Sequence, residues 1–358
     1  MSEITVEKVM EALSQVHDPE LHRDLVSLNM VKDVKVDGTH VALTVELTTP
    51  ACPMKGEIKN RVDEALTAAG AATVDLSFDA RVPQSRAGGE RAAIDGVKNI
   101  IAVSSAKGGV GKSTVAVNLT MALAKTGAQM GLLDADVYGP SIPTMMKLEH
   151  TPQVKSVDDK ILPIESYGVK LISMGFLTTK DSPVIWRGPM IHKIMQEFVR
   201  NVAWGELDYL VMDLPPGTGD TQLTLVQTVP ISGAVIVTTP QEISLIDARK
   251  GLFMFEQVEV PVLGIVENMS YFSCPHCSER TDIFATGGGK TCAEELGVEL
   301  LAEIPLIPAI RECSDAGTPI TVVQPESEAA RLYDELAGRV AAKLSVLALT
   351  KIELPVIQ

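Results

Sequence analysis

The stretch that decides the fold is Ile101-Ala-Val-Ser-Ser-Ala-Lys-Gly-Gly-Val-Gly-Lys-Ser-Thr114, where a β-branched run leads into a glycine-rich turn and then a helix pattern. A glycine-rich turn between a strand and a helix is the context that a phosphate-binding loop requires. Its backbone N–H groups close around phosphate oxygens, and the following helix adds the partial positive charge of its N-terminus. The sequence therefore predicts a nucleotide site.

The residues of this turn predict how the nucleotide is held. Lys112 is expected to contact the β- and γ-phosphate oxygens, and the Ser113 hydroxyl to ligate Mg2+. The surrounding backbone is expected to come from Gly108, Gly109, Val110, Gly111 and Thr114. ATP with Mg2+ is the predicted ligand.

The turn departs from the general G-x-x-x-x-G-K-[ST] pattern at two positions. Ala106 stands in place of the first glycine, and Lys107 adds a second lysine. This form resembles the deviant phosphate loop of the MinD/ParA/nitrogenase iron-protein class. In that class the extra lysine reaches the nucleotide of the opposite subunit, so the resemblance implies a homodimer that sandwiches ATP and a catalytic role for Lys107.

Short β-branched runs alternate with helix patterns on both sides of the turn. The runs are at 100–103, 130–133, 209–212, 234–237 and 262–266, and the helix patterns at 112–125, 222–228, 242–256, 293–296 and about 326–344. Such runs are typical of buried parallel strands. The expected fold is α/β: a P-loop NTPase with a doubly wound, mainly parallel sheet that binds its ligand at the carboxyl ends of the strands.

A smaller domain is predicted before this sheet. Residues 1–82 carry a helix pattern, alternating strands at 31–36 and 41–47, a helix at 53–68 and a strand at 74–78. Residues 83–96 lack apolar periodicity and are predicted to be a linker. The ATPase domain is then expected to span 97–358.

Acidic residues follow two predicted strands at the phosphate edge. Asp213 has the Walker B form and is expected to hold Mg2+ through water, while Asp134 and Asp136 end another strand. The resemblance favours Asp136 for activating the attacking water and Asp134 for the Mg2+ environment, and which carboxylate does which stays open. It also implies that the Gly217 N–H senses the γ-phosphate and that Asn268 faces adenine.

Cys274-Pro-His-Cys277 has the two-residue spacing that lets both thiolates face one ion. One such pair is half of a tetrahedral site. Either His276, Cys292 or Cys313 completes it, or a symmetric dimer brings two pairs together. Thiolates suit zinc and iron-sulfur clusters alike, and a redox dithiol is a third interpretation.

Several motifs together resemble the Mrp/ApbC family of iron-sulfur cluster carrier ATPases. They are the lysine-rich turn, Asp134-Ala-Asp-Val-Tyr-Gly-Pro-Ser141, Trp186-Arg-Gly-Pro189, Asp213-Leu-Pro-Pro-Gly-Thr-Gly-Asp220 and Cys274-Pro-His-Cys277. Residues 1–82 resemble the MIP-eighteen-like domain of bacterial members through His17-Asp-Pro-Glu-Leu21 and Thr49-Pro-Ala-Cys-Pro53. The family implies a 4Fe-4S cluster, bridged between subunits by Cys274 and Cys277, that passes from cluster donors to apo-proteins.

The overall charge limits the partners. A formal net charge of −15 over 358 residues disfavours nucleic acid and anionic membrane surfaces, which would repel the chain. The start Met1-Ser-Glu-Ile-Thr-Val-Glu-Lys lacks the pattern of a signal peptide, so a cytoplasmic location is expected. Two rivals to the cluster carrier stay open: a MinD/ParA-like positioning ATPase, and an ATPase whose dimer is joined by structural zinc.

The remaining candidate residues carry weaker expectations. Cys52 precedes a helix whose dipole could depress the pKa of its thiol for cluster transfer or partner contact, although a packing role is equally compatible. Cys292 and Cys313 are expected to pack in the core. Trp186 and Arg187 could contact a partner or the other subunit. His17 and His22 are expected to be surface or capping residues.

Overall fold

The computed structural model describes residues 4–85, 93–137, 139–148, 154–177, 188–274, 276–277 and 279–350. These residues form two compact units. The N-terminal unit runs to Pro83 and includes the end of the last helix from Ala341, and the large unit is Gln84–Val340. Most of the predicted linker, residues 86–92, lies outside the described residues, as do Trp186 and Arg187.

The N-terminal unit is a three-stranded sheet covered by helices. Its elements are α1 (Val6–Leu13), β1 (Val31–Asp37), β2 (His40–Leu47), α2 (Lys55–Ala68) and β3 (Thr73–Ala80). Strand β2 pairs antiparallel with β1 and parallel with β3. Alternate residues of β2, from Val41 to Leu47, are buried, and they form one apolar core with Leu13, Ile58 and Val62 of the helices. The predicted alternation therefore sets the core face of this sheet.

The large unit contains the remaining elements. In chain order these are β4 (Val97–Ser104), α3 (Lys112–Lys125), β5 (Met130–Asp134), α4 (Ile142–Met145), β6 (Ser156–Val157), β7 (Lys160–Ile161), β8 (Ile164–Ser166), β9 (Val169–Ser173), α5 (Gly188–Arg200), β10 (Leu207–Asp213), α6 (Asp220–Thr228), β11 (Gly233–Thr238), α7 (Glu242–Gln257), β12 (Val262–Asn268), β13 (Phe272–Ser273), β14 (Arg280–Thr281), α8 (Gly288–Glu295), β15 (Leu300–Ile304), α9 (Pro308–Asp315), α10 (Ile320–Val323) and α11 (Glu328–Leu349).

An eight-stranded sheet organises the large unit. Its order is β15-β12-β11-β4-β10-β5-β9-β8, and all neighbours are parallel except β8 and β9. The five predicted β-branched runs lie within β4, β5, β10, β11 and β12, so the expected mainly parallel sheet is confirmed. Strand β4 lies between β11 and β10, which places the loop that follows it at the middle of the carboxyl edge.

Helix α11 crosses the division between the units. It begins at Glu328 in the large unit, and its end from Ala341 groups with the N-terminal unit, where the Ser345 hydroxyl donates a 3.3 Å hydrogen bond to the Thr48 carbonyl. The sequence predicts one domain over 97–358, whereas the structure groups the end of this helix, from Ala341, with the N-terminal unit. No helix of the described chain has the length and apolarity to span a bilayer.

Candidate functional site

The glycine-rich turn between β4 and α3 has the backbone that its sequence predicts. Gly109 and Gly111 have φ angles of +83° and +84°, values that favour glycine. A Cβ on Gly111 would lie 2.2 Å from Nδ2 of Asn268, so close packing also excludes a side chain there. The first turn of α3 thus follows a tight loop with its N-terminus at the carboxyl edge of the sheet.

Lys112, Ser113 and Asp213 form the centre of the site. Lys112 Nζ lies 2.5 Å from Asp213 Oδ1, and the Ser113 hydroxyl donates a 2.6 Å hydrogen bond to Asp213 Oδ2. The register of β10 against β4 pairs Asp213 with Val103, which brings the carboxylate to the base of the turn. Lys112 and Asp213 are buried, so the cation and the carboxylate stabilise each other away from solvent.

The strand-end carboxylates also lie at this edge. Asp134 pairs with Asp213 across β5 and β10, and its Oδ2 accepts a 2.8 Å hydrogen bond from the Ser173 hydroxyl. Burial, reinforced by the charge of Asp213, raises the pKa of Asp134 to about 8. Burial likewise raises the pKa of Asp213, although Lys112 opposes this shift. Because the edge brings several carboxyl groups together beside one lysine, a divalent cation bound there would favour their ionised forms.

Asp136 is placed differently from Asp134. Its Oδ2 lies 3.9 Å from Lys112 Nζ, and its Oδ1 accepts a 3.2 Å hydrogen bond from the Gly139 N–H. Its backbone N–H donates to Asp134 Oδ1 over 3.1 Å. Asp136 is 8% exposed and Asp134 is fully buried, so Asp136 is the carboxylate that a water molecule beside the phosphates reaches more easily. The division of roles between them stays a prediction.

Gly217 and Asn268 both contact the turn itself. The Gly217 N–H donates a 2.9 Å hydrogen bond to the Ser105 carbonyl, and Asn268 Nδ2 donates one of 2.9 Å to the Val110 carbonyl. Their predicted contacts with γ-phosphate and adenine stay predictions. Lys107 is exposed, and its carbonyl accepts a 3.0 Å hydrogen bond from the Ser105 hydroxyl.

Sequence reasoning missed two polar residues near the site. Ser173 ends β9 and bonds Asp134, and Gln222 of α6 donates to the Ser104 hydroxyl at the end of β4. Neither residue belongs to a phosphate-loop motif. The available signal for Ser173 is its position at the carboxyl end of a strand beside β5, where side chains reach the ligand edge.

The thiol pair lies at the tip of a short hairpin formed by β13 and β14. The Cys274 N–H donates a 3.0 Å hydrogen bond to the Glu279 carbonyl, which closes the loop. Backbone N–H groups of His276 and Cys277, and then the Cys277 thiol, lower the pKa of Cys274. Cys277 is exposed and Cys274 is half-buried. The pair is therefore accessible, with one thiol activated toward its thiolate.

The other candidate ligands do not join this pair. Cys292 of α8 and Cys313 of α9 are buried, and burial raises the pKa of both thiols, so the predicted packing role is confirmed. Within the described ranges, no three His, Cys, Asp or Glu side chains are grouped so that they could hold a metal ion. Among the described residues, His276, Cys292 and Cys313 therefore do not complete a metal site with Cys274 and Cys277 in one chain.

The prediction that a helix dipole depresses the pKa of Cys52 is wrong. Burial, and then the nearby charge of Glu20, raises the pKa of the Cys52 thiol to about 11, although the N–H groups of Met54 and Lys55 act in the opposite direction. Cys52 packs against the apolar core of the N-terminal unit. At neutral pH its thiol keeps its proton.

His17 and His22 of the N-terminal unit have contacts that fit a turn and not a metal site. His17 Nδ1 lies 3.2 Å from the Gln15 carbonyl, and the His17 carbonyl accepts from Arg61 over 3.0 Å. The His22 N–H donates a 3.0 Å hydrogen bond to the Asp18 carbonyl. These contacts fit the expected surface and capping roles.

The fold and the phosphate edge define a P-loop NTPase of the MinD/ParA type. Residues 96–341 match the family model for the NUBPL iron-transfer P-loop NTPase, and residues 6–76 match that for an iron-sulfur cluster assembly protein. The chain belongs to this iron-transfer P-loop NTPase family, as its resemblance to Mrp/ApbC proteins predicted.

Individual relatives agree with this assignment. The chain is 50% identical over 355 residues to a Synechocystis protein named iron-sulfur cluster carrier protein, covering 97% of this chain and 99% of that one. A nucleotide-binding protein from Archaeoglobus fulgidus, solved in complex with ADP, superposes with a TM-score of 0.59 at 42% identity and covers 67% of this chain and 93% of its own. The cell-division ATPase MinD of Pyrococcus furiosus, with a TM-score of 0.52 at 22% identity over 68% of this chain and 98% of its own, shares the fold.

Proposed function

We propose that this protein carries 4Fe-4S clusters to apo-proteins, and that ATP binding and hydrolysis control the dimer that holds the cluster. The observation that carries the proposal is the presence, in one chain, of a buried lysine–carboxylate edge and a thiol pair in which Cys277 is exposed and the pKa of Cys274 is lowered. The cluster is cargo in this scheme. The Synechocystis relative, named a cluster carrier, supports the assignment.

The phosphate edge would hold MgATP through the residues that it already brings together. Lys112 would exchange part of its contact with Asp213 for the β- and γ-phosphate oxygens, because phosphate is a stronger partner for an ammonium group. The hydroxyl of Ser113 and the carboxylate of Asp213 are the hard oxygen donors that Mg2+ prefers. The ADP bound to the Archaeoglobus relative supports an adenine nucleotide at this edge.

Hydrolysis would require an attacking water and compensation of charge on the γ-phosphate. Asp136 would orient the water, since it is the more accessible of the two strand-end carboxylates. The exposed side chain of Lys107 would reach the nucleotide of a second subunit, which makes hydrolysis dependent on the dimer. The Gly217 N–H would leave the Ser105 carbonyl and donate to the γ-phosphate, so the position of this residue would depend on whether the γ-phosphate is bound.

The thiol pair would bind the cluster only as half of a site. Cys274 and Cys277 supply two thiolates, and an iron-sulfur cubane takes four. A second copy of the chain would supply the other two across a twofold axis, as an isologous dimer does. Because Cys277 is exposed, the cluster would stay accessible to donors and to apo iron-sulfur proteins. We place this exchange in the cytoplasm.

Anaerobic reconstitution with iron and sulfide tests the proposal, with Cys277→Ala as the variant and Cys313→Ala as the control for loss of a cysteine elsewhere. We expect a broad visible charge-transfer band and about four irons per dimer in the wild type and the control, and neither in Cys277→Ala. Stoichiometric zinc with no chromophore would contradict the carrier proposal and favour a zinc-joined ATPase.

A further inference from the structure

A short segment of chain connects the phosphate loop to the thiol pair. Asn268, the last residue of β12, donates its 2.9 Å hydrogen bond to the Val110 carbonyl within the loop. This contact is tight, because Gly111 leaves no room for a Cβ beside Asn268 Nδ2. Only residues 269–273 separate Asn268 from Cys274. Asn268 thus touches one site and lies next to the other along the chain.

The connecting segment is held at successive points. Met269 has a φ of +56°, which fixes a sharp change of direction after β12. The Ser270 N–H donates to the Ile304 carbonyl over 3.0 Å, and the Tyr271 carbonyl accepts from the Leu306 N–H over 2.7 Å. These hydrogen bonds hold the segment against the end of β15. A shift of Asn268 would therefore be passed along the segment and not absorbed by a flexible loop.

The base of the cysteine hairpin continues this chain of contacts. The guanidinium of Arg280 lies 4.0 Å from the centroid of the Tyr271 ring, and Arg280 pairs with Ser273 across β13 and β14. Movement of Tyr271 would therefore reach both strands that hold the thiol loop. The Ser270 hydroxyl in this segment is buried without a hydrogen bond to any described residue. A rearrangement that gave this hydroxyl a partner would therefore lower the free energy of the rearranged state.

We propose that Asn268 is a positioning residue that couples the state of the phosphate loop to the cysteine hairpin. Nucleotide binding displaces the Val110 carbonyl, Asn268 follows it, and residues 269–273 transmit the shift to Cys274. The Asn268 amide bonds the loop through Nδ2 and presents Oδ1 as its acceptor, so a contact with adenine would strengthen the same link. By reciprocity, metal or cluster on the thiols changes nucleotide affinity.

The inference rests on the nucleotide and thiol sites of the proposed function, and its test needs no cluster. We would measure iodoacetamide alkylation of Cys274 and Cys277 by peptide mass spectrometry, with and without saturating Mg2+ and a non-hydrolysable ATP analogue. The wild type should show at least a twofold change in rate with nucleotide. Asn268→Ala should bring that ratio to about one, measured at a nucleotide concentration raised until its weakened site is saturated.

Asn118→Ala is the matched control. Asn118 is also a buried asparagine beside the loop, bonding the Thr114 carbonyl over 2.9 Å from helix α3, but it is not on the route to the hairpin. Its alkylation ratio should equal that of the wild type. Repeating every measurement at a tenfold lower protein concentration separates the coupling from shielding by dimerisation, since only shielding depends on concentration.

Two further results decide the remaining cases. Asn268→Asp keeps the shape and loses the donor, so it should behave as Asn268→Ala; a wild-type ratio in both variants overturns the inference. If either variant loses nucleotide binding, its alkylation rate without nucleotide is compared with that of the wild type. A different rate supports the link between Asn268 and the hairpin, and an equal rate overturns it. A wild-type ratio of one at saturating nucleotide also overturns it, while leaving cluster binding by reconstitution untouched.

Discussion

The phosphate edge and the cysteine hairpin differ sharply in burial, although strand β12 leads from one toward the other. At the edge, Lys112, Asp134 and Asp213 are buried, Lys112 bonds Asp213, and Asp134 accepts from Ser173. At the hairpin, two strands of two residues hold the half-buried Cys274 and the exposed Cys277. The sheet buries the charged groups of its site, whereas the hairpin holds its two thiols near the surface.

The difference shows which interactions hold the residues of each site in place. Carboxylates and lysine at the edge are fixed by strand register and by the core around them, so the protein bears the cost of assembling them during folding. The thiols are held by a few hydrogen bonds within a short hairpin near the surface, so they add little to the packed core. The first site should therefore govern stability and the second should not.

The largest expected effect is that of Lys112→Ala. The substitution should abolish ATP hydrolysis, and it should lower the free energy of unfolding by about 3–5 kcal/mol because it leaves Asp213 buried without its cation. Lys125→Ala is the control, since Lys125 lies on the same helix but pairs with Asp334 at the surface over 2.7 Å. Its loss should cost no more than about 1 kcal/mol by urea denaturation. Wild-type turnover in Lys112→Ala would refute the phosphate site.

The edge should also make stability depend on pH. The pKa of Asp134 is raised to about 8, above its unfolded value of about 3.9, so the native state binds the proton more tightly between these values. In the nucleotide-free protein, stability should fall as pH rises from about 4 through about 8, with a slope of up to about 1.4 kcal/mol per pH unit from this group. Asp134→Asn should remove that contribution. Denaturation curves with equal slopes in both proteins would contradict the burial argument.

The thiols provide a third comparison. Cys274 has a lowered pKa and Cys52 a pKa raised to about 11, so alkylation at pH 8 should be much faster at Cys274. Glu20→Gln removes a charge that raises the Cys52 pKa and should speed its alkylation several-fold without altering Cys274. Alkylation kinetics at single residues measure both. No change at Cys52 would mean that burial alone holds its proton.

The smallest expected effect is that of Cys277→Ala on stability. An exposed side chain at a hairpin tip should change the free energy of unfolding by less than about 0.5 kcal/mol. Cys292→Ala, at a fully buried position in the same unit, should cost about 1 kcal/mol. Equal losses in the two variants would show that the hairpin is part of the cooperative core. The two sites would then not differ in their contribution to the free energy of unfolding.

The sequence predicted the central strands because buried parallel strands are nearly continuous apolar runs. It did not identify β15, a five-residue edge strand in which Glu303 interrupts the run. Motif spacing placed Lys112, Ser113 and Asp213 together, since the loop and the strand ends follow from chain order alone. Such spacing is silent about contacts between segments distant in sequence.

The errors came from those distant contacts. The Ser173 hydroxyl beside Asp134 belongs to no motif. The pKa of Cys52 was predicted with the wrong sign because burial in the core, and then the charge of Glu20 from another part of the chain, raises it. Local sequence shows a helix dipole, and only the folded structure shows what is buried beside it.

Helix α11 has a consequence for synthesis on the ribosome. The N-terminal unit contains the first strands to emerge, yet its compact form includes residues from Ala341 onward, which emerge after the whole large sheet. Its apolar core is made by residues between Ile4 and Ala80, whereas the hydrogen bond from Ser345 to Thr48 is added only after the large sheet has been synthesised. The last contacts of the N-terminal unit are therefore made by the last helix of the chain and not by the unit's own strands.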